Sequence, residues 1–120
     1  MTANTQNNQG EREALRRLIQ HLIRHQFTVT HVDDGGEHVA VTNARAIEDA
    51  VFSVDVSRIL VVSEVDTDGT VKRRVHSILI VLGNAPDGSE IVSDYRYADG
   101  DPDGFDACMD AFLDAENART

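Results

Sequence analysis

Tryptophan is absent and aromatic residues make up only 5% of the chain, so any core must be built from Val, Ile, Leu and Ala, and deep aromatic ligand cages are not expected. There is one cysteine, Cys108. It cannot close an internal disulfide, so nothing requires an oxidising compartment and a cytoplasmic location is expected. The longest unbroken apolar run, Ile78 to Leu82, falls far short of the ~20 residues that span a bilayer. The first ten residues, MTANTQNNQG, offer neither a basic start nor an apolar h-region, which argues against a secretory signal. Basic residues are also scarce. The formal net charge of −10 repels nucleic acid and anionic lipid at long range and favours cations or basic proteins.

That charge is uneven. Residues 1–26 carry four Arg against two Glu, whereas from Asp87 onward ten acidic residues face only Arg96 and Arg119. The final third is therefore an acidic surface. At 120 residues the chain suits one domain with a core of its own, expected over residues 11–120 after a polar, aperiodic tail over residues 1–10.

Val71 to Tyr97 reads as the spine of the fold. Ser77 to Leu82 is apolar on both side-chain parities, which places that strand centrally. Upstream, Leu15, Leu18, Ile19, Leu22 and Ile23 recur at helical spacing and predict a helix from about Glu11 to Gln26, with Arg12, Arg16, Arg17, His21 and Arg24 on its outer face and Glu13 paired with Arg17. That face reads as a solvated surface or as a basic docking surface. Phe27–Val32 and Glu37–Thr42 alternate around Asp33-Asp34-Gly35-Gly36 and predict a hairpin. Asn43 is placed to cap a short helix running to about Asp55.

Ser57–Val65 and the strand from Val71 predict a second hairpin about Asp66-Thr67-Asp68-Gly69. The turn Asn84–Gly88 then leads to a strand from Ile91 to Tyr97, where Tyr95 and Tyr97 share a face and are expected to pack. Phe105, Cys108, Met109, Phe112 and Leu113 make the apolar stripe of a last helix from about Asp103 to Asn117, with Asp106, Asp110, Asp114 and Glu116 outside it. The order α-β-β-α-β-β-β-α contains no regular βαβ alternation. It predicts an α+β domain with a largely antiparallel sheet of about five strands and helices mainly on one face.

The sharpest chemical pattern is Asp99-Gly100-Asp101-Pro102-Asp103-Gly104-Phe105 with Asp110 beyond it. Read as an EF-hand-like calcium loop, it sets carboxylates of Asp99, Asp101, Asp103 and Asp110 at positions one, three, five and twelve and the Phe105 carbonyl at seven. Against this, position twelve is Asp rather than Glu, Asp106 stands where an aliphatic residue is preferred, and a strand precedes the loop. The plainer reading is an acidic helix start with Asp103 as N-cap and Asp106 near the positive end of the dipole.

Five histidines raise a zinc alternative, with His21 and His25 spaced i, i+4 and His31 or His38 as third ligand. Cys108 lies on the apolar stripe and reads as a buried small hydrophobe, and His76 reads as a hydrogen-bonded residue of the central strand. No HExxH, GxSxG, Cys-His signature or phosphate loop occurs, so the sequence leans away from an enzyme.

VLGNAPDGSEIVSDY followed by DGFDACMDAF resembles a pattern in small uncharacterised α+β proteins of bacterial and prophage genomes, with weaker similarity in VTHVDDGGEHVAVT. The resemblance implies an origin and a fold, and transfers no functional residue. The expected function is an acidic interaction module whose face, built by Asp99, Asp101, Asp103, Asp106, Asp110 and Asp114, meets a basic protein, one version being mimicry of DNA phosphates. The alternatives are a calcium-stabilised domain and a homodimer, formed through a sheet edge or through the basic first helix meeting the acidic last helix of its mate.

Overall fold

Two helix ends and one cap fix how this chain enters its sheet. The computed structural model describes residues 3–67, 70–83, 88, 90–97 and 104–118. Helix α1 runs Ala3–Arg24, so the expected tail over residues 1–10 is from Ala3 onward a continuation of the helix. The polar residues carry no apolar stripe of their own. They extend a helix already nucleated by Ala14, Leu15, Leu18, Ile19 and Leu22, all buried, because adding a turn to an existing helix is far easier than starting one.

At its other end the helix closes with the N–H of Phe27 on the Leu22 carbonyl (2.9 Å) and that of Gln26 on Ile23 (3.0 Å). Gln26 adopts φ 68, the left-handed cap residue of this closure. Phe27 is thereby turned into the core beside Leu22. Ile23, expected in the buried stripe, is instead 64% exposed.

Strands β1 (Thr28–Asp33) and β2 (His38–Ala40) form the expected hairpin. Its turn is held by Asp34 Oδ1, which accepts the N–H groups of Gly36 (3.0 Å) and Glu37 (2.9 Å). Asn43 caps α2 (Ala44–Val51), its Oδ1 accepting the Ala46 N–H at 2.8 Å. The helix stops four residues before Asp55 because Ser53 takes the Ala50 carbonyl with its hydroxyl (2.6 Å) and closes the last turn.

Strands β3 (Val56–Thr67) and β4 (Thr70–Val81) pair along their whole length, Thr67 opposite Thr70. The connecting Asp68 and Gly69 lie outside the described residues, as does the turn Asn84–Gly88 except for Gly88. Strand β5 (Val92–Arg96) completes an antiparallel sheet of order β2-β1-β3-β4-β5, and helix α3 (Phe105–Ala118) follows.

Strand β4 is internal, as its apolar run requires, with β3 and β5 on its flanks. Its two faces differ. His76, Ile78 and Ile80 are buried with Val32, Ile59 and Val61 beneath the three helices, whereas Val75 on the opposite face is 54% exposed. A register shift between Leu79 and Ile80 interrupts the alternation of β5. Tyr95 then packs against the core, but Tyr97, expected beside it, is 47% exposed.

Candidate functional site

Three arginines of α1 are ion-paired to carboxylates of the other two helices. Arg12 Nη1 donates to Glu48 Oε1 (3.0 Å), and Arg16 grips the same carboxylate with Nε (3.2 Å) and Nη2 (2.9 Å). Arg17 holds Glu116 in a two-bond fork of 2.8 and 2.7 Å. Both carboxylates are buried, at 9% and 6% exposure. This corrects two expectations. Arg12 and Arg17 are half-buried in ion pairs and Arg16, though exposed, is paired as well, so they are not a free outer face, and Arg17 is committed to Glu116 on α3 instead of to Glu13. Glu116 is correspondingly not outside the buried stripe. A carboxylate can enter an interface of this kind only when its lone pairs are met, and the guanidinium forks meet them. The Arg12 guanidinium also lies over the Phe52 ring, 4.3 Å from its centroid.

Burial pushes the Glu48 carboxyl up, but hydrogen bonds from Arg16 and Arg12 outweigh it and hold the group below its ordinary value of 4.5. A carboxyl whose folded pKa lies below its unfolded one stabilises the fold above the unfolded value and loses that contribution as pH falls through the folded one. Glu48→Gln is therefore expected to lower stability at pH 7 by about 1–3 kcal/mol. The variant should also show a shallower acid limb in urea unfolding measured from pH 7 to 3, and parallel limbs in variant and parent would exclude this role for Glu48.

On α3 the acids are partly engaged too. The Tyr95 hydroxyl donates toward Asp106 Oδ1 (2.7 Å) and Asp110 Oδ1 (3.1 Å), one helical turn apart. The Asp106 hydrogen bond, burial and the Asp110 hydrogen bond all push the Tyr95 phenol upward, so it remains a donor. Asp106 is half-buried, whereas Asp110 and Asp114 are exposed. Asp99, Asp101 and Asp103, members of both the expected calcium loop and the expected acidic face, lie outside the described residues.

Phe105 opens α3 and is fully buried, stacked on His76 with ring centroids 4.4 Å apart. The first bond of the helix runs from the Cys108 N–H to the Gly104 carbonyl (3.0 Å), which makes Gly104, at φ 75, the capping position expected for Asp103.

Four of the five histidines separate into two pairs. His31 and His38 face each other on the first hairpin with centroids 6.5 Å apart, and His38 Nε2 is 3.1 Å from Asp33 Oδ2. Neither joins His21 and His25 as the sequence suggested. His21 instead turns from the expected outer face into the α1–α3 seam, where its Nε2 donates to the Cys108 carbonyl (2.8 Å) and its ring lies 5.6 Å from that of Phe112. Burial lowers its pKa against the opposing effect of the Cys108 carbonyl, with His25 and Arg24 adding repulsion. Cys108 is buried, and desolvation pushes its thiol up to about 11.

One open groove of about 390 Å³ lies where α1 and α2 meet β1, floored by Ile19, Phe27, Val29 and Ile47 with Ile23 at its edge. Among the described residues none that lines it titrates, and its floor suits apolar groups. What the sequence did not disclose are the partners Glu48, Glu116 and Tyr95. A glutamate beside the apolar stripe of a short helix, as Glu48 is beside Ile47 and Val51, was the available signal. Comparison with family models, with curated proteins and with solved structures found no match to this chain.

Proposed function

We propose that this protein is an acidic binding module that engages a basic protein surface through the exposed side of α3. The observation that carries this reading is that three of the α1 cations are paired with carboxylates other than the exposed acids of α3. Arg12 and Arg16 are paired with Glu48 and Arg17 with Glu116, not with the acids on the exposed side of α3. Among the described residues, Asp110 and Asp114 are exposed and enter no ion pair. In a chain of net charge −10 such a surface draws cationic partners at long range.

The partner of matching chemistry is a protein that presents a phosphate-binding face. Labelled duplex DNA bound to a repressor, a nuclease or a restriction enzyme provides the assay. Added protein is expected to release the DNA from at least one of them, less efficiently as salt rises from about 50 to 300 mM. Asp110→Asn with Asp114→Asn should weaken release about tenfold, close to 1.4 kcal/mol, while the asparagine at 110 retains an acceptor for Tyr95. DNA that stays bound at large excess of the protein, or a double variant as effective as the parent, would overturn the assignment.

A further inference from the structure

We propose that His21, His25 and Cys108 form a zinc site that fastens α1 to α3. Their ligand atoms lie within 4.8 Å of one another. The helical turn is maintained between the two histidines by the His25 N–H on the His21 carbonyl (3.1 Å), so the i, i+4 spacing sets both imidazoles on one flank, 4.5 Å between centroids. Cys108 reaches the same point from the facing helix. Ligand atoms around tetrahedral zinc stand roughly 3.3–3.6 Å apart, given bonds of about 2.0–2.1 Å to nitrogen and 2.3 Å to sulfur. Closing the cluster therefore asks for a movement of about 1 Å, which the exposed His25 can make by rotating its side chain.

The hydrogen bond of His21 also suits a metal ligand. His21 Nε2 donates its proton to the Cys108 carbonyl, which leaves the lone pair on Nδ1. A ring nitrogen anchored on a carbonyl or carboxylate is the support that metal-binding imidazoles usually have, since it fixes both tautomer and ring plane.

Two imidazoles and one thiolate form a borderline-soft set that suits zinc and disfavours magnesium or calcium. The thiol is protonated in the metal-free protein, so binding breaks the S–H bond, forms the zinc–sulfur bond and releases one proton to solvent. Three protein ligands leave one coordination position for water, and a hollow of about 190 Å³ lies beside His21, lined by Arg17, Arg24, Phe112 and Glu116 among others. The site shares no residue with the acidic face, so the binding role and the metal can fail separately.

The test uses the untagged chain, stripped of metal with a chelator. Zinc is expected to bind one per chain and to raise Tm by about 10 °C at roughly a hundredfold excess over Kd, with reversal by chelator and no response to magnesium. Cobalt in place of zinc should give thiolate-to-metal charge-transfer absorption and the intense visible bands of a four-coordinate ion. His25→Ala, exposed and so safe for folding, should abolish the rise in Tm and weaken binding at least tenfold. Cys108→Ala should remove the charge-transfer band; if that variant does not fold, the His25 variant and the parent's cobalt spectrum decide the matter. Weak binding at several sites, a cobalt spectrum without the thiolate band, or a His25 variant that binds like the parent would each overturn the site.

Discussion

Phe105→Ala is expected to destabilise the protein by about 3–5 kcal/mol, the range for emptying a buried aromatic site. Phe105 is fully buried at the first position of α3. Its ring stacks on His76 at 4.4 Å with only 4° between planes, and meets Phe27 edge-on at 5.3 Å and Tyr95 at 6.0 Å. In a chain with so few aromatic residues this cluster ties α3 to β4, to β5 and to the start of β1 at once. Thermal unfolding should show Tm lower by roughly 10–20 °C for a domain of this size, and Phe105→Leu, which keeps most of the volume, a much smaller fall. A loss below about 1 kcal/mol for the alanine variant would mean that the ring does not hold α3 in place. The same variant bears on the calcium reading. That reading uses only the Phe105 backbone carbonyl, so any calcium-specific stabilisation should survive the loss of the side chain.

Gly88→Ala should be nearly as damaging, through backbone rather than through a lost side chain. Gly88 adopts φ +79, and a Cβ there would come within 2.6 Å of both Ala14 Cβ and the Gly10 carbonyl oxygen and 3.0 Å of Glu11 Cα. Two of these atoms are backbone of α1, which cannot step aside without moving the helix. The Gly88 carbonyl also accepts the Ile91 N–H (3.3 Å) just before β5. The left-handed conformation costs an alanine about 1–2 kcal/mol and overpacking adds about 1–3 more, so a total of roughly 2–5 kcal/mol is expected in urea unfolding. Gly83→Ala separates the two contributions. Gly83 has φ +91 but nothing within 4 Å of the Cβ position, so it should show the conformational part alone, about 1–2 kcal/mol. Equal losses at both glycines would rule out the close approach of this segment to α1.

Much of the architecture was legible because it rests on short-range rules. Asn43 before Ala46 and Ile47 announced a cap, Asp34-Gly35-Gly36 a turn, and the repeat of Phe105, Cys108, Met109 and Phe112 a buried helical stripe; each is found where expected. The chemical groups were less legible, because what a polar side chain does depends on what faces it. Arg17 and Glu116 are 99 positions apart in the chain, and Arg16 and Glu48 are 32 apart. On the periodicity of its own helix each looks like a solvent-facing charge. Asp106 and Asp110 were read as surface acids for the same reason, although the Tyr95 hydroxyl reaches both. His21 and Cys108 belonged to different arguments, one to a basic face and the other to an apolar stripe.

Sequence by itself determined the elements and their order, the α+β class, the antiparallel sheet with an internal β4, and the acidic balance of the last third. These follow from local propensity, side-chain periodicity and composition, which need no knowledge of neighbours. Tertiary structure alone decided that Arg12, Arg16 and Arg17 are ion-paired across the helices, that Glu48 and Glu116 are buried, that Phe105 is an anchor of the core, and that Cys108 sits against two histidines. Each of these depends on which helix faces cross after the chain has closed on the sheet, and a buried charge is tolerated only where a partner from a distant segment arrives to meet it.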